Sequence, residues 1–390
     1  MPKVIANTQK IDELLTRGVE EVIVKEHLRA ALLSGKQLRV KLGIDPTASD
    51  LHLGHTIPLR KLRQFQDAGH KAVLIIGDFT ARIGDPSGRS EARKPLTTEE
   101  VKTNMKKYLN QAGKVIDIKR SEIRYNSEWF FSKEGLSPIL EVARSATINQ
   151  VIQRAESKKR LAEGGSISLI EALYPIMQGY DSVIVEADVE IGGTDQKFNL
   201  LMGRQVQKFF NKPEQDIMTL MLLEGTDGER KMSKSYGNYI GIEEKSNEMF
   251  GKIMAIPDKL IDKYYALLTD QDRGIPDPLE AKLELGRIIV DMYHGHGEGL
   301  EARGAFIKVF SKKEKPEDIK KVRLGVSEIN IVELLVKTRL APSKSEARRL
   351  ILQGAVKIDD IRKSDPNEET SLQKEILLQV GPRHFLKVKS

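Results

Sequence analysis

The stretch from residue 37 to residue 77 constrains the fold more than any other part of the chain. Residues 37–45 (QLRVKLGID) read as a strand that ends in a turn at Pro46. Residues 53–68 have helical periodicity, with Leu59, Leu62 and Phe65 on one side and Gly69 as the stop. Residues 71–77 (KAVLIIG) are nearly all apolar, as a parallel strand covered on both faces has to be. Strand, helix and strand in this order make the βαβ unit of a doubly wound, Rossmann-like α/β fold with a parallel sheet.

The rest of the chain is organised around that unit. Residues 9–33 read as helices of mixed charge. Residues 83–93 (IGDPSGRSEAR) are rich in Gly, Pro and Ser and read as a loop. Residues 97–161 are polar and read as a helical insertion between two halves of the sheet. A strand is expected at 182–189, a helix at 195–206 and a last strand at 216–223, which runs into a loop at 225–237. A helical layer follows at 242–310. The charged run at 312–321 (KKEKPEDIKK) marks a boundary. Beyond it lie a helix at 329–336 and a second at 344–353, with Ser343 and Glu346 spaced as a capping box and Gly354 as the stop. Short strands at 355–358, 375–380 and 384–388 complete a small α+β module. The expected domains are 1–224, 225–320 and 325–390.

Composition narrows the function classes. A chain of 390 residues with 39% hydrophobic and 31% charged residues can bury one large core and a satellite. It has no cysteine, which excludes disulfides, thiolate catalysis and cysteine-ligated metal. No apolar run approaches the roughly 18 residues of a membrane helix. The N-terminal MPKVIANTQKIDELL has no apolar core of a secretory signal, so a cytoplasmic location is expected. A net charge of +7 suits a polyanionic partner, and suits a merely basic enzyme as well.

Two constellations carry phosphate chemistry. The first is DPTASDLHLGH, from Asp45 through Thr47 to His52, Gly54 and His55, at a strand-to-helix transition. Backbone N–H groups at a helix start receive an anion. His52 and His55 lie three apart and share one side of the first turn. Gly54 lets a flat base or ribose approach, and the imidazoles and Thr47 can donate to a phosphoryl group in transit. Two surface histidines beside an N-cap are the plainer alternative. The second is Lys231-Met232-Ser233-Lys234-Ser235, bordered by Gly225, Gly228 and Gly237. Two lysines and two hydroxyls on such a loop suit a triphosphate, whereas a solvated basic turn is the plainer reading. The Rossmann GxGxxG and the Walker GxxxxGK[ST] are absent from the first constellation.

HLGH and KMSKS together resemble the two signatures of class I aminoacyl-tRNA synthetases, in order, separation and context. The resemblance covers nearly the whole chain. It implies formation of an aminoacyl-adenylate from amino acid and ATP, the latter as its Mg²⁺ complex, and then esterification of a tRNA terminal ribose. His52, His55 and Thr47 would stabilise the transition state at the ATP phosphates. Lys231 and Lys234 would hold the pyrophosphate portion, with Met232 and Ser233 in the same loop. The Asp45-Pro-Thr run and IGDPSG from Ile83 resemble the tyrosyl branch, and Arg89 and Arg93 would be pyrophosphate contacts. Gly192, Asp195 and Gln196 resemble the segment that meets ribose and the reacting carboxylate.

Tyr174, Gln178 and Asp181 fall at i, i+4 and i+7, one face of a helix that Pro175 interrupts. An amphipathic surface helix would look the same. The resemblance implies that Tyr174, Gln178 and Asp85 hold the ammonium group of tyrosine and that Asp181 accepts from its phenol. Lys41 occupies a position where many tyrosyl enzymes have a tyrosine. It would either stand near Asp181 as a donor and charge partner, or face outward from its strand. The tail carries Arg339, Lys344, Arg348, Arg349, Lys357, Arg362 and Lys363. Residues 328–388 resemble an S4-like RNA-binding domain, as at the end of bacterial-type tyrosyl-tRNA synthetases, implying tRNA(Tyr) as partner and a homodimer. The rivals are a tryptophanyl-tRNA synthetase, a non-catalytic RNA-binding protein on the same body, and a dinucleotide oxidoreductase. The missing phosphate fingerprint disfavours the last.

Overall fold

The computed structural model describes residues 4–47, 50–87, 96–131, 137–311, 319–381 and 384–390. They form two compact units, Met1–Gly299 and Leu300–Ser390. The first is built on a six-stranded sheet: β1 (Val19–Ile23), β2 (Arg39–Ile44), β3 (Lys71–Ile76), β4 (Glu122–Tyr125), β5 (Val189–Gly193) and β6 (Asp216–Leu220), in spatial order β1-β6-β5-β2-β3-β4. All neighbours run parallel except β1, which pairs antiparallel with β6.

That order has a consequence for function. From β2 the chain moves through β3 to β4 on one side, then returns to lay β5 and β6 on the other. The strand order therefore reverses between β2 and β5, the place where open α/β sheets bind ligands beyond their carboxyl ends. β3 and β6 are almost wholly buried, which explains their continuous apolar runs. The Leu53–Asp67 helix covers one face with Leu53, Leu59, Leu62 and Phe65, all fully buried. Further helices, among them Ser246–Met254, Ile261–Leu268 and Pro278–His294, complete the unit.

Four expectations are corrected. Residues 9–33 are not all helix: β1 lies between the helices Thr8–Leu14 and Lys25–Leu33. The charges of VEEVI suit the half-exposed edge of a sheet, and a lone edge strand leaves little pattern. Residues 97–161 are only in part an insertion between sheet halves, because the segment itself contributes a strand and only its later helices lie between β4 and β5. After the Thr98–Ala112 helix they contain β4, paired with β3, and then the short helices Ser127–Phe130, Ile148–Ile152 and Ala155–Ala162. The expected strand at 182–189 is instead the end of the Leu169–Ile184 helix, and the strand begins at Val189. Its β-branched run SVIV favours a strand locally, but Ile176, Met177 and Val183 keep the helical spacing of a buried face. Glu186, at φ 49°, ends the segment and turns the chain into β5. The expected helix at 329–336 begins two residues late, because Glu328–Asn330 is a strand.

The second unit contains a five-stranded sheet with a separate core. Its strands are β7 (Lys321–Arg323), β9 (Val356–Ile358), β10 (Ile361–Lys363), β12 (Ile376–Val380) and β13 (His384–Lys389), in the order β10-β9-β12-β13-β7. A ribbon of β8 (Glu328–Asn330) and β11 (Glu369–Ser371) lies in the same unit. The helices Ile331–Lys337 and Lys344–Leu352 supply Leu334, Leu335, Ala347 and Ile351 to its core. Ser343 caps the second helix by accepting from Glu346 N at 3.2 Å, and Gly354 at φ 67° follows its end. The side chain of Glu346 pairs with Arg349 rather than closing the capping box. The boundary run expected at 312–321 lies largely outside the described residues. No described helix is long and apolar enough to cross a membrane.

Candidate active site

A cavity of about 940 Å³ opens above the carboxyl ends of β2, β3, β5 and β6 in the first unit. Each strand delivers part of its lining. Asp45 follows β2 directly, and its Oδ1 accepts from Thr80 Oγ1 at 2.7 Å while Oδ2 accepts from the Tyr174 hydroxyl at 2.8 Å. Gly77, at the end of β3, makes this possible. A Cβ there would lie 2.0 Å from Asp45 Oδ1 and 2.3 Å from Thr80 Oγ1. Thr47 follows on the wall, and its N–H donates to Asp45 O at 2.8 Å.

His52 and His55 open the Leu53–Asp67 helix and also line the cavity. Their rings stack at a centroid distance of 3.7 Å, and His52 N donates to His55 Nδ1 at 3.2 Å. His52 is 5% exposed. Burial pushes its imidazole down to about 2, helped by the charges of His55, Lys234 and Lys231. It is therefore neutral at ordinary pH, a dipole rather than a cation. Gly54 stands against the His52 ring; a Cβ there would come 3.1 Å from Cε1.

The loop after β6 forms the opposite wall. An isolated bridge pairs Glu224 with Lys231, Met232 N donates to Leu223 O at 2.7 Å, and Ser233 N donates to Asn238 Oδ1 at 2.8 Å. Lys231 Nζ donates to the Asp195 carboxylate across the cavity. Lys234 turns instead toward Asp50, 3.5 Å away, and lies over the Tyr239 ring. It is not among the lining residues, whereas Lys231, Met232, Ser233 and Ser235 are.

The floor comes from the Leu169–Ile184 helix. Tyr174, Gln178 and Asp181 all line the cavity, so the i, i+4, i+7 face points inward despite Pro175. Asp181 is buried and accepts from Trp129 Nε1 at 3.0 Å. Burial raises its carboxyl to about 7; the Lys41 charge and the Trp129 hydrogen bond oppose that rise. Burial, and then the Asp45 charge, lifts the Tyr174 phenol well above its ordinary range. Gly192, Asp195 and Gln196 line the cavity from the end of β5. Gln196 Nε2 donates to Asp85 Oδ2 at 2.7 Å.

Lys41 meets its expected role only in part: its charge acts on Asp181, but it makes no direct bond to that carboxylate. It is fully buried, so it does not face outward, and its ammonium pairs with Glu190 at 2.9 Å rather than with Asp181. It also donates to Gln178 O and to Ser182 Oγ, beneath the lining. Arg89 and Arg93 lie outside the described residues. Sequence reasoning missed Asn199, Glu190, Thr80 and Trp129. Asn199 is fully buried, and its Nδ2 lies 3.0 Å from Gln178 Oε1 and 3.3 Å from Asp85 Oδ1. Its signal was present: four residues after Asp195, it sits one turn along the same chain segment.

In the second unit, three of the tail cations are already paired: Lys344 with Glu333, Arg349 with Glu346 and Lys363 with Glu368. Arg339, Arg348 and Arg362 are exposed.

Comparison with known proteins agrees with this arrangement. Residues 33–293 match the family model for tRNA synthetases class I (W and Y), and residues 312–379 match that for a tyrosine–tRNA ligase SYY-like C-terminal domain. The chain belongs to the class I tRNA synthetase family, within its tyrosyl line that carries this C-terminal domain. It is 45% identical to the tyrosine–tRNA ligase of Moorella thermoacetica over 96% of this chain and 94% of that one. It is 46% identical to that of Thermotoga maritima over 96% of each. Among solved structures, a C-terminally truncated mitochondrial tyrosyl-tRNA synthetase of Aspergillus nidulans superposes with a TM-score of 0.65 at 21% identity, covering 77% of this chain and 94% of that one. The Archaeoglobus fulgidus tyrosyl-tRNA synthetase complexed with L-tyrosine gives 0.61 at 22% identity, covering 76% and 100%. Both share the fold.

The raised Asp181 carboxyl has a consequence for stability. The unfolded chain releases this proton near its ordinary value of 3.8, the folded chain only near about 7. The associated stability is complete below about pH 4 and is lost as pH rises toward 7. Asp181→Asn removes the ionisation and keeps an acceptor for Trp129. Its stability relative to wild type, from urea midpoints, should climb between pH 4 and 7 and level off above. A difference that stays flat across that window would contradict the assignment.

Proposed function

We propose that this chain is a tyrosine–tRNA ligase that works in two steps in the cavity of its first unit. A carboxylate oxygen of L-tyrosine attacks the α-phosphorus of ATP. The bond between the α- and β-phosphates breaks, and diphosphate leaves with the Mg²⁺ that entered as part of the ATP complex. A ribose hydroxyl at the 3′ end of tRNA(Tyr) then attacks the carbonyl carbon of the adenylate, AMP leaves, and the hydroxyl proton passes to solvent.

The observation that carries this reading is the continuity of the cavity. His52, His55 and Lys231 stand on the same cavity as Tyr174, Gln178 and Asp181. The first group suits phosphates and the second an aromatic amino acid. The attacking carboxylate is already nucleophilic, so the barrier is one of positioning and charge. Neutral His52 and Thr47 offer hydrogen-bond donors to the α-phosphoryl oxygens, while Lys231 and Lys234 exchange Asp195 and Asp50 for the diphosphate. Asp195 is then released to the ribose hydroxyls, and Gln196 steadies the carboxylate. Gln178, Tyr174 and Asp85 meet the ammonium group. Asp181 accepts from the phenol, and a site built to pair that hydroxyl rejects an analogue lacking it.

The exposed arginines of the second unit suit RNA phosphates. Homodimerisation is supported by exposed apolar side chains concentrated in residues 131–170, namely Phe131, Leu140, Ile148, Leu161, Leu169 and Ile170.

ATP–pyrophosphate exchange decides the substrate. Exchange should depend on tyrosine and be absent with tryptophan, and the reverse result would move the chain to the other amino acid of its family. For the second unit, Arg348→Ala should weaken tRNA binding and lower the slope of log affinity against log salt by about 1. An unchanged slope would remove Arg348 from the RNA surface. Sedimentation should give a dimer that Leu140→Asp with Ile148→Asp converts to a monomer; a monomeric wild type would refute the dimer.

A further inference from the structure

Lys41 and Glu190 are cross-strand neighbours, directly opposite one another on β2 and β5 at the reversal of the sheet. They are 0% and 1% exposed and 2.9 Å apart. All three ammonium protons have acceptors: Glu190 Oε1, Gln178 O at 2.8 Å and Ser182 Oγ at 2.7 Å. Glu190 is equally occupied. Its Oε1 also accepts from Gln178 Nε2 at 3.1 Å, and its Oε2 accepts from Ser182 Oγ at 3.2 Å and from Gln215 Nε2. The pair therefore grips one turn of the helix that floors the cavity, through the backbone and side chain of Gln178 and the hydroxyl of Ser182.

A carboxylate only accepts hydrogen bonds, so it fixes which end of the Gln178 amide faces it. Nε2 must point down to Glu190, and Oε1 is left toward Asn199 and the cavity. We propose that the Lys41–Glu190 pair is a positioning device that orients the Gln178 amide so that an acceptor oxygen meets the substrate ammonium group. This rests on the tyrosine reading above. Lys41 supplies the counter-charge beside Glu190 in a site closed to water. An uncharged residue at 190 that can also donate would let the amide turn and present its NH₂ group to a cation.

The test is Glu190→Gln in the full-length protein, assayed by ATP–pyrophosphate exchange. KM for tyrosine should rise by about tenfold or more, the scale of one hydrogen bond to a charged group. KM for ATP should hold, and kcat should fall far less than KM rises. The inhibition constant of 3-(4-hydroxyphenyl)propionate, which is tyrosine without its amine, should not move. That separates amide orientation from general distortion of the pocket, which would weaken both ligands. A second variant, Lys41→Met with Glu190→Gln, removes both charges together. It should melt closer to wild type than Lys41→Met alone and still show the raised KM for tyrosine. An unchanged tyrosine KM in Glu190→Gln, or a wild-type KM in the double variant, would overturn the proposal. Parallel weakening of the propionate would do the same. Wild-type exchange with no dependence on tyrosine would instead defeat the functional reading beneath it.

Discussion

Two opposite charges buried side by side at the reversal of a parallel sheet are the constraint on which this site depends. Taking a carboxylate or an ammonium out of water costs several kcal/mol even after relaxation, and removing one member of such a pair costs about 3–5 kcal/mol. Lys41 and Glu190 meet that cost jointly and with nearly every donor and acceptor occupied. An apolar pair of similar volume would hold the strands together as well or better. What it would not supply is a set of directed bonds from β2 and β5 to a single turn of the floor helix. The ions therefore make sense as a means of placement rather than of stability.

The same low-dielectric setting shapes the phosphate end. His52 is too buried to carry a proton, and nearby lysines push further in that direction. Its neutrality separates two tasks that a cationic histidine would confuse. In the proposed reaction, ground-state attraction of the triphosphate would fall to Lys231 and Lys234, whereas the neutral His52 imidazole would contribute an oriented dipole that gains strength as charge develops on the α-phosphoryl oxygens. The stacking of His52 on His55 at 3.7 Å holds that orientation.

Much of this was legible from residue order. β2 and β3 announce themselves because a strand covered on both faces has to be apolar throughout, and the helix between them has a clean buried stripe. β1 and β4 were hidden because short edge strands keep their charges. The end of the floor helix was hidden because β-branched residues were placed on a buried helical face. Tyr174, Gln178 and Asp181 could be grouped by helical spacing alone. Lys41 could not be assigned by any local rule, since its partner lies on a strand formed much later in the chain. Lys41 and Glu190 are each a charge flanked by apolar neighbours, VKL and VEI, and such charges call for one another when the strands are neighbours. That adjacency is a property of topology, which spacing does not encode.

Topology also explains why the HLGH and KMSKS segments can share a cavity. The first follows β2 and the second follows β6, and both strands point the same way with only β5 between them. Their loops consequently emerge on one edge of the sheet, facing each other across the end of β5, where Asp195 stands. The Lys231–Asp195 contact spans that gap. Each loop lysine thus already neutralises a carboxylate, Asp195 or Asp50. In the proposed reaction the nucleotide replaces one anion by another, so neither ammonium group is ever left bare. The net gain from each exchange is small, which favours a loop able to release diphosphate once the α–β bond has broken. A lysine held unpaired for ATP would bind the substrate more tightly and its leaving group too, and the second step would then wait on product release.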